Sequence, residues 1–215
     1  VITIPTGDLC GILADCIPFA SPDDDIPILN AVRLEWDGAQ LHAMSTDRFR
    51  VAWSTWQPDD DPDTEGDQQE DLFTTWGGAD VPWHIYLPLA DAKDIVSNFK
   101  LKPKERGCPL QVDHADGQLK VDRSRMTGHS ALRMVVAGVV LDSDGLDIRR
   151  YFADHATAKP VRAVAYTPKL LADFGKVRPR GALKLTFTGE HAVTLVEIGE
   201  RFVGAIQPVK ERDDE

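Results

Sequence analysis

Cysteine, basic charge and long apolar runs are all scarce in this sequence, and each shortage closes off a class of protein. Three cysteines in 215 residues, Cys10, Cys16 and Cys108, with no CxxC pair, give neither a disulfide framework nor a zinc site. They point to reduced thiols in a cytoplasmic protein, as small buried apolar groups. No apolar run approaches the roughly 18 residues of a membrane span. The start, Val1-Ile2-Thr3-Ile4-Pro5, lacks the basic residues and apolar stretch of a signal peptide. A formal net charge of −11 counts against a surface covered in phosphate-binding Lys and Arg. The acid is concentrated in Asp23-Asp24-Asp25 and between Asp59 and Asp71, however, so a local basic face is not excluded. Catalytic signatures are missing as well: the six histidines are scattered, with no HExxH, no GxSxG and no Gly-rich phosphate loop after a strand. From Asp61 the acidic stretch resembles the start of a calcium loop (Asp61, Asp63, Glu65, Gly66), but its twelfth position is Leu72 where a bidentate Glu is needed. A non-enzyme without metal or cofactor is expected.

What is present is a pattern repeated three times. Each pass opens on a short strand ending near a proline: Ile2-Thr3-Ile4-Pro5, Ile85-Tyr86-Leu87-Pro88 and Val164-Ala165-Tyr166-Thr167-Pro168. A helix of about ten residues follows, with one apolar face. That face is Leu9, Ile12, Leu13 and Cys16 in the first pass and Leu89, Ala92, Ile95, Val96 and Phe99 in the second. In the third it is Leu170, Leu171, Phe174 and Val177. Thr6 and Thr167 suit the N-cap, and Pro168 the first helical position. Three alternating strands come next, with turns at Asp37-Gly38, at Asp116-Gly117 and near Gly189, as in antiparallel meanders. The expected fold is α+β: repeated strand-helix-strand-strand-strand half-domains, with antiparallel sheets outside and helices on one side. The expected boundaries are a complete domain over 1–136, a linker over 137–160 and a half-domain over 161–215. A long acidic loop at 57–81 interrupts the first domain; its simplest reading is a solvated insertion.

The residues resemble the bacterial DNA polymerase III beta subunit, the sliding DNA clamp. The likeness is carried by Ile28-Leu29-Asn30-Ala31-Val32-Arg33-Leu34-Glu35 and Leu41-His42-Ala43-Met44-Ser45-Thr46-Asp47-Arg48-Phe49-Arg50, where a hydrophobic strand precedes a Thr-Asp-x-x-Arg turn. Cys108-Pro109-Leu110-Gln111-Val112 continues it. Gly145-Leu146-Asp147-Ile148-Arg149-Arg150 is similar to the family's Phe-Pro-Asp-Tyr-x-x linker, with Gly-Leu in place of Phe-Pro. Ala205-Ile206-Gln207-Pro208-Val209-Lys210 is similar to its closing strand. Family members have six half-domain units per chain; the three here look like a whole middle domain plus the last half of the final one.

The resemblance implies a processivity factor that encircles double-stranded DNA without reading sequence and binds polymerases, or other proteins carrying clamp-binding motifs, through a peptide pocket. Carried over residue by residue, that pocket is Leu29, Thr46, Arg50, Val51, Pro109, Ile206, Pro208 and Val209, with Thr46 and Arg50 as polar anchors at its rim. The alternative is that Leu29, Val51 and Ile206 are sheet core. DNA would meet Lys93 and Lys100 on the second helix and Lys169 and Lys176 on the third, extended by Lys102, Lys104, Arg178 and Arg180; the alternative is a solvated helix surface. Asp8 and Asp15 on the first helix would repel phosphate. In the acidic loop, Gln69-Glu70-Asp71-Leu72-Phe73 fits the peptide by which polymerases dock on clamps, so Gln69, Asp71, Leu72 and Phe73 form a candidate docking peptide for a full-length clamp; equally, Leu72 and Phe73 could pack the loop down. A rival reading is a clamp-derived regulator that binds proteins and never encircles DNA. The third unit's apolar face, with no half-unit of its own to pair with, implies a homo-oligomer.

Overall fold

The computed structural model describes residues 1–58, 77–78, 81–102, 105–123, 131–141, 147–161, 163–178 and 181–209. The first pass supplies β1 (Ile2–Pro5), α1 (Thr6–Cys16), β2 (Ala31–Trp36), β3 (Leu41–Thr46) and β4 (Arg50–Trp56). After a two-residue strand, β5 (Gly77–Gly78), the second supplies β6 (Trp83–Pro88), α2 (Leu89–Phe99), β7 (Pro109–Ala115), β8 (Gln118–Arg123) and β9 (Leu132–Ala137). A short helix, α3 (Ile148–Asp154), precedes the third pass: α4 (Pro168–Ala172), a 3-10 turn (Asp173–Lys176), β10 (Leu183–Phe187), β11 (Thr194–Ile198) and β12 (Phe202–Ile206).

The repeats interleave. β1 pairs with β7 of the second pass, and β6 pairs with β2 of the first. Each lead strand therefore completes the other unit's sheet. The result is a five-stranded sheet, β5-β1-β7-β8-β9, and a seven-stranded sheet, β10-β11-β12-β4-β3-β2-β6, antiparallel at every pair. The seven-stranded sheet crosses from the first unit to the third through β4 and β12, where Val51 faces Ala205 and Arg50 faces Ile206.

One core joins both sheets to α1 and α2. Alternation sends Val32, Leu34 and Trp36 of β2 inward, with Ile2 and Ile4 of β1 and Leu110 and Val112 of β7. α2 is amphipathic, burying Leu89, Ala92, Ile95 and Phe99 while Lys93 and Lys100 stay exposed. α1 has no exposed residue, as expected of a helix that is apolar nearly all round.

Several sequence expectations change. Thr6 is not the N-cap of α1: Pro5 holds that place, and the buried Thr6 hydroxyl donates to the Cys108 carbonyl at 2.6 Å. Thr167 does stand at the N-cap of α4 with Pro168 behind it, but its side chain makes no capping hydrogen bond, and α4 is only five residues long because the chain tightens into the 3-10 turn. Residues 164–167 are not a strand; only Ala165 bridges, to Val209. The nominal 57–81 loop contains β5, held to Ile2 and Thr3.

The largest correction concerns the third unit's apolar face, which the chain itself covers. Phe174 and Val177 are buried in the common core, and Leu170 and Leu171 pack against it. Phe174 meets Phe19 edge-on at 4.8 Å between centroids, and both rings lie near Phe202. Gly204 is required there, because a Cβ would come within 2.7 Å of the Phe174 ring and 3.0 Å of the Val51 carbonyl oxygen. With three aromatic rings buried at about 1.5–3 kcal/mol each, the joint between first and third units is core, and the argument for self-association from an uncovered face falls.

Candidate functional site

The turn Asp47-Arg48-Phe49 organises the region where the first and third units meet. Arg48 adopts φ 78°, and the Asp47 carboxylate accepts from the Phe49 and Arg50 backbone N–H groups at 3.0 and 2.8 Å. The Thr46 hydroxyl donates to the Arg50 carbonyl at 2.7 Å. This tight turn presents Phe49 to solvent, 59% exposed, while its carbonyl accepts from Gln207 N–H at 2.8 Å. Thr46, Arg50, Val51 and Ile206 are thus brought together by the β3-β4-β12 ladder. Pro208 and Val209 continue directly from β12, Val209 exposed and fixed by its N–H to the Ala165 carbonyl at 2.9 Å.

Their side chains divide between the two sheet faces. Arg50 turns inward, 5% exposed. Its guanidinium donates to Asp47 at 2.6 and 3.0 Å, to the carbonyls of Pro18 and Leu170 at 3.1 and 3.3 Å, and to the Asp173 carboxylate; it also stacks over Phe19. Burial alone would raise the Asp173 pKa, but the hydrogen bonds and charges of Lys176 and Arg50 hold it below the ordinary value. The expected rim anchor is therefore a tie between units. Ile206 also faces the inner core.

Val51 turns outward. It joins Met44, Val193 and Ala205 beneath α3, whose Ile148 and Phe152 complete the cluster, with Trp53, Tyr151, Leu195 and Val203 around it. Pro109 stands elsewhere, in the five-stranded sheet opposite Pro5. Leu29 lies half-buried in the loop before β2, its carbonyl accepting from Ser21 N–H. The element that covers Val51 and Ala205 is α3, which the sequence reading treated as linker. Its one available signal was the i, i+4 pair Ile148 and Phe152 behind an Asp. Asp147 is indeed the N-cap, accepting from Arg150 N–H at 2.9 Å.

A polar network fastens α3. Arg149 reaches Glu35 at 2.9 Å and Asp37 at 3.5 Å and lies over the Trp53 ring. Asp37 accepts from His42 Nε2 at 3.0 Å, and the Trp53 indole N–H donates to His42 Nδ1 at 3.0 Å. That pattern fixes a neutral imidazole protonated on Nε2. Burial lowers the His42 pKa, against an opposing hydrogen bond from Asp37. For Asp37, burial pulls upward, but hydrogen bonds from His42 and the Gln40 and Ala39 N–H groups prevail and bring it to about 2.

The expected DNA-facing residues fare unevenly. Lys93 is exposed on α2, and Lys100, also exposed, stands just past the end of that helix in a non-helical conformation. Lys169 and Lys176 fall on different elements, α4 and the 3-10 turn, and Lys176 pairs with Asp173 at 2.5 Å. Lys102 is exposed, whereas Lys104 and Arg180 lie outside the described residues. Asp15 does not face outward: it is 4% exposed and accepts from Ser54 and Arg178. Gly11 admits this, since a Cβ there would fall inside the Arg178 guanidinium. Gln69, Asp71, Leu72 and Phe73 lie outside the described residues. Asp23, Asp24 and Asp25 bring carboxylates within 4.8 Å of one another, all exposed, as solvated acids often do. Among the described residues no helix is long and apolar enough to cross a membrane.

This α+β arrangement of interleaved half-domains, with the first and third units joined edge to edge through β4 and β12, has the fold of the DNA sliding clamps. A putative DNA polymerase III beta subunit from Eubacterium rectale superposes with TM-score 0.70 over 97% of this chain at 11% identity. The DNA polymerase III beta subunit of Thermotoga maritima gives 0.70 over 99% at 13%, and the sliding clamp of Bacillus subtilis 0.67 over 98% at 14%. The chain spans 64–66% of the length of these structures. No protein-family model and no curated protein matches the sequence.

Proposed function

We propose that the chain is a sliding-clamp-like accessory protein of DNA replication or repair, non-catalytic and cytoplasmic, that binds clamp-seeking peptides of polymerases and holds double-stranded DNA without reading its sequence. The observation that carries this reading is the match to sliding clamps over 97–99% of the chain, which runs through the seam between first and third units. At that seam Phe49, Gln207, Pro208 and Val209 form an accessible rim beside the Val51–Ala205 pair. Such a rim suits the Leu and Phe side chains of an extended peptide. DNA phosphates would meet Lys93, Lys100 and Lys102, and a ring would need several copies of the three units. Gln69–Phe73 would dock on a full-length clamp or on this protein's own seam.

A labelled Gln-x-Asp-Leu-Phe peptide, titrated by fluorescence anisotropy, should bind with a Kd on the order of micromolar. Val209→Glu should weaken it at least tenfold at unchanged melting temperature. Absence of saturable binding to the folded protein would remove the docking reading. Lys93→Ala with Lys100→Ala should flatten the salt dependence of duplex binding by about two in slope.

A further inference from the structure

The helix that borders the candidate seam also fills it. Ile148 and Phe152 sit one turn apart on α3 and are 5% and 8% exposed, seated among Met44, Val51, Val193 and Ala205. An aliphatic and an aromatic side chain on an apolar socket is the same chemistry that an external Leu-Phe peptide would bring. We infer that α3 is an internal occupant of the docking seam, a strap that an incoming apolar peptide must displace. This rests on the docking reading above and concerns the regulation of that site.

Three observations carry it. First, α3 has seven residues, too few to be stable alone, so its helicity depends on being seated. Second, its polar fastening is partly open to water: Arg149 is 43% exposed where it meets Glu35 and Asp37, and the other ion pair of α3, Arg150–Asp154, lies within the helix and ties it to nothing else. Third, its attachments run to β2, the β2-β3 turn and the outer sheet face, while the inner face of the same sheet is sealed independently by Phe19, Phe174 and Phe202. α3 can therefore lift without opening the main core. A site that is only fractionally vacant binds with an apparent Kd equal to the intrinsic Kd divided by that fraction, so loosening the strap should tighten external binding.

The test uses the full chain and the same labelled peptide. Phe152→Ala should tighten binding at least tenfold, and Arg149→Met, which leaves the apolar contacts in place, several-fold. Val140→Ser, at a fully solvated side chain (93% exposed), should match wild type. Hydrogen exchange at the amides of residues 150–154 should accelerate when peptide saturates the wild type. If peptide binds wild type and Arg149→Met equally and α3 exchange is unchanged or slowed, the strap is wrong while the docking seam stands. Weaker binding by Phe152→Ala, in a protein that still folds, would make α3 a wall of the site and likewise overturn the strap. If no form shows saturable binding, the docking reading fails and the strap with it.

Discussion

The seven-stranded sheet is covered twice at the same seam, and the two coverings are built from different chemistry. On the inner face the third unit is tied down by Phe19, Phe174 and Phe202 and by two ion pairs: Arg50 with Asp173, withdrawn from water, and Asp15 with Arg178, where the carboxylate is buried and the guanidinium is partly exposed. Every carboxylate there has more than one donor, and Arg50 also satisfies two carbonyls. On the outer face α3 holds on by the buried Ile148 and Phe152, the partly buried Tyr151 and one half-exposed arginine. Exposed pairs contribute little because water and salt compete for both partners. Buried ones are costly to break because the survivor is stranded without solvent. The inner joint is therefore expected to behave as part of the core, and the outer one as a contact that opens first.

The sharpest way to break the comparison is Arg50→Met. It leaves Asp47 and Asp173 facing each other with fewer donors and strands two carbonyls. A loss of about 3–5 kcal/mol is expected, read from urea denaturation. A loss below about 1 kcal/mol would mean that the inner joint is no tighter than the outer.

A second variant tests sign as well as size. Gly→Ala inside a helix ordinarily stabilises by about 1 kcal/mol. At Gly11 the new methyl would push Arg178 off Asp15, so a net loss on the order of 1 kcal/mol is expected. Stabilisation would show that Arg178 is not held over α1.

The smallest effect is pH-dependent and belongs to the outer face. His42 is depressed below 6.5 and Asp37 lies at about 2. Both favour the folded network at neutral pH, so its stabilisation is complete above about 6.5. Part is lost as pH falls below that value and His42 takes a proton, and the rest as pH falls from 3.8 towards 2. Glu35, Asp37 and Arg149 are the charged groups facing His42, with Trp53 and Thr55 as its neutral partners. The Trp53 indole N–H resonance should shift across the first window in wild type and lose that response in His42→Gln. Exchange in α3 should accelerate there before the β4–β12 ladder is affected; simultaneous loosening would contradict the two-tier picture.

Periodicity made most of the architecture legible. Leu89, Ala92, Ile95 and Phe99 form the buried face of α2, and the meanders turn where Asp37-Gly38 and Asp116-Gly117 stand, with Gly38, Asp116 and Gly117 at positive φ. The candidate site was legible only in part. Thr46, Arg50, Val51 and Ile206 stand side by side in the β3-β4-β12 ladder but on two faces of it: the Thr-Asp-x-x-Arg turn is a local pattern, whereas the pairing of β4 with β12 is not. That Arg50 points inward, that Pro109 belongs to the other sheet and that α3 borders Val51 depend on strand order, which no local pattern encodes.

Alternation and turn chemistry act over a few residues, and so the sequence by itself determined three strand-and-helix units and which face of each is apolar. Which partner covers each face was decided only by the tertiary structure. β1 and β6 exchange between units, the third unit closes on Phe19, and Asp15, read as a surface charge, is buried against Arg178, 163 positions away. Burial of that kind follows from chain crossings that set distant residues side by side, and helical spacing alone carries no record of them.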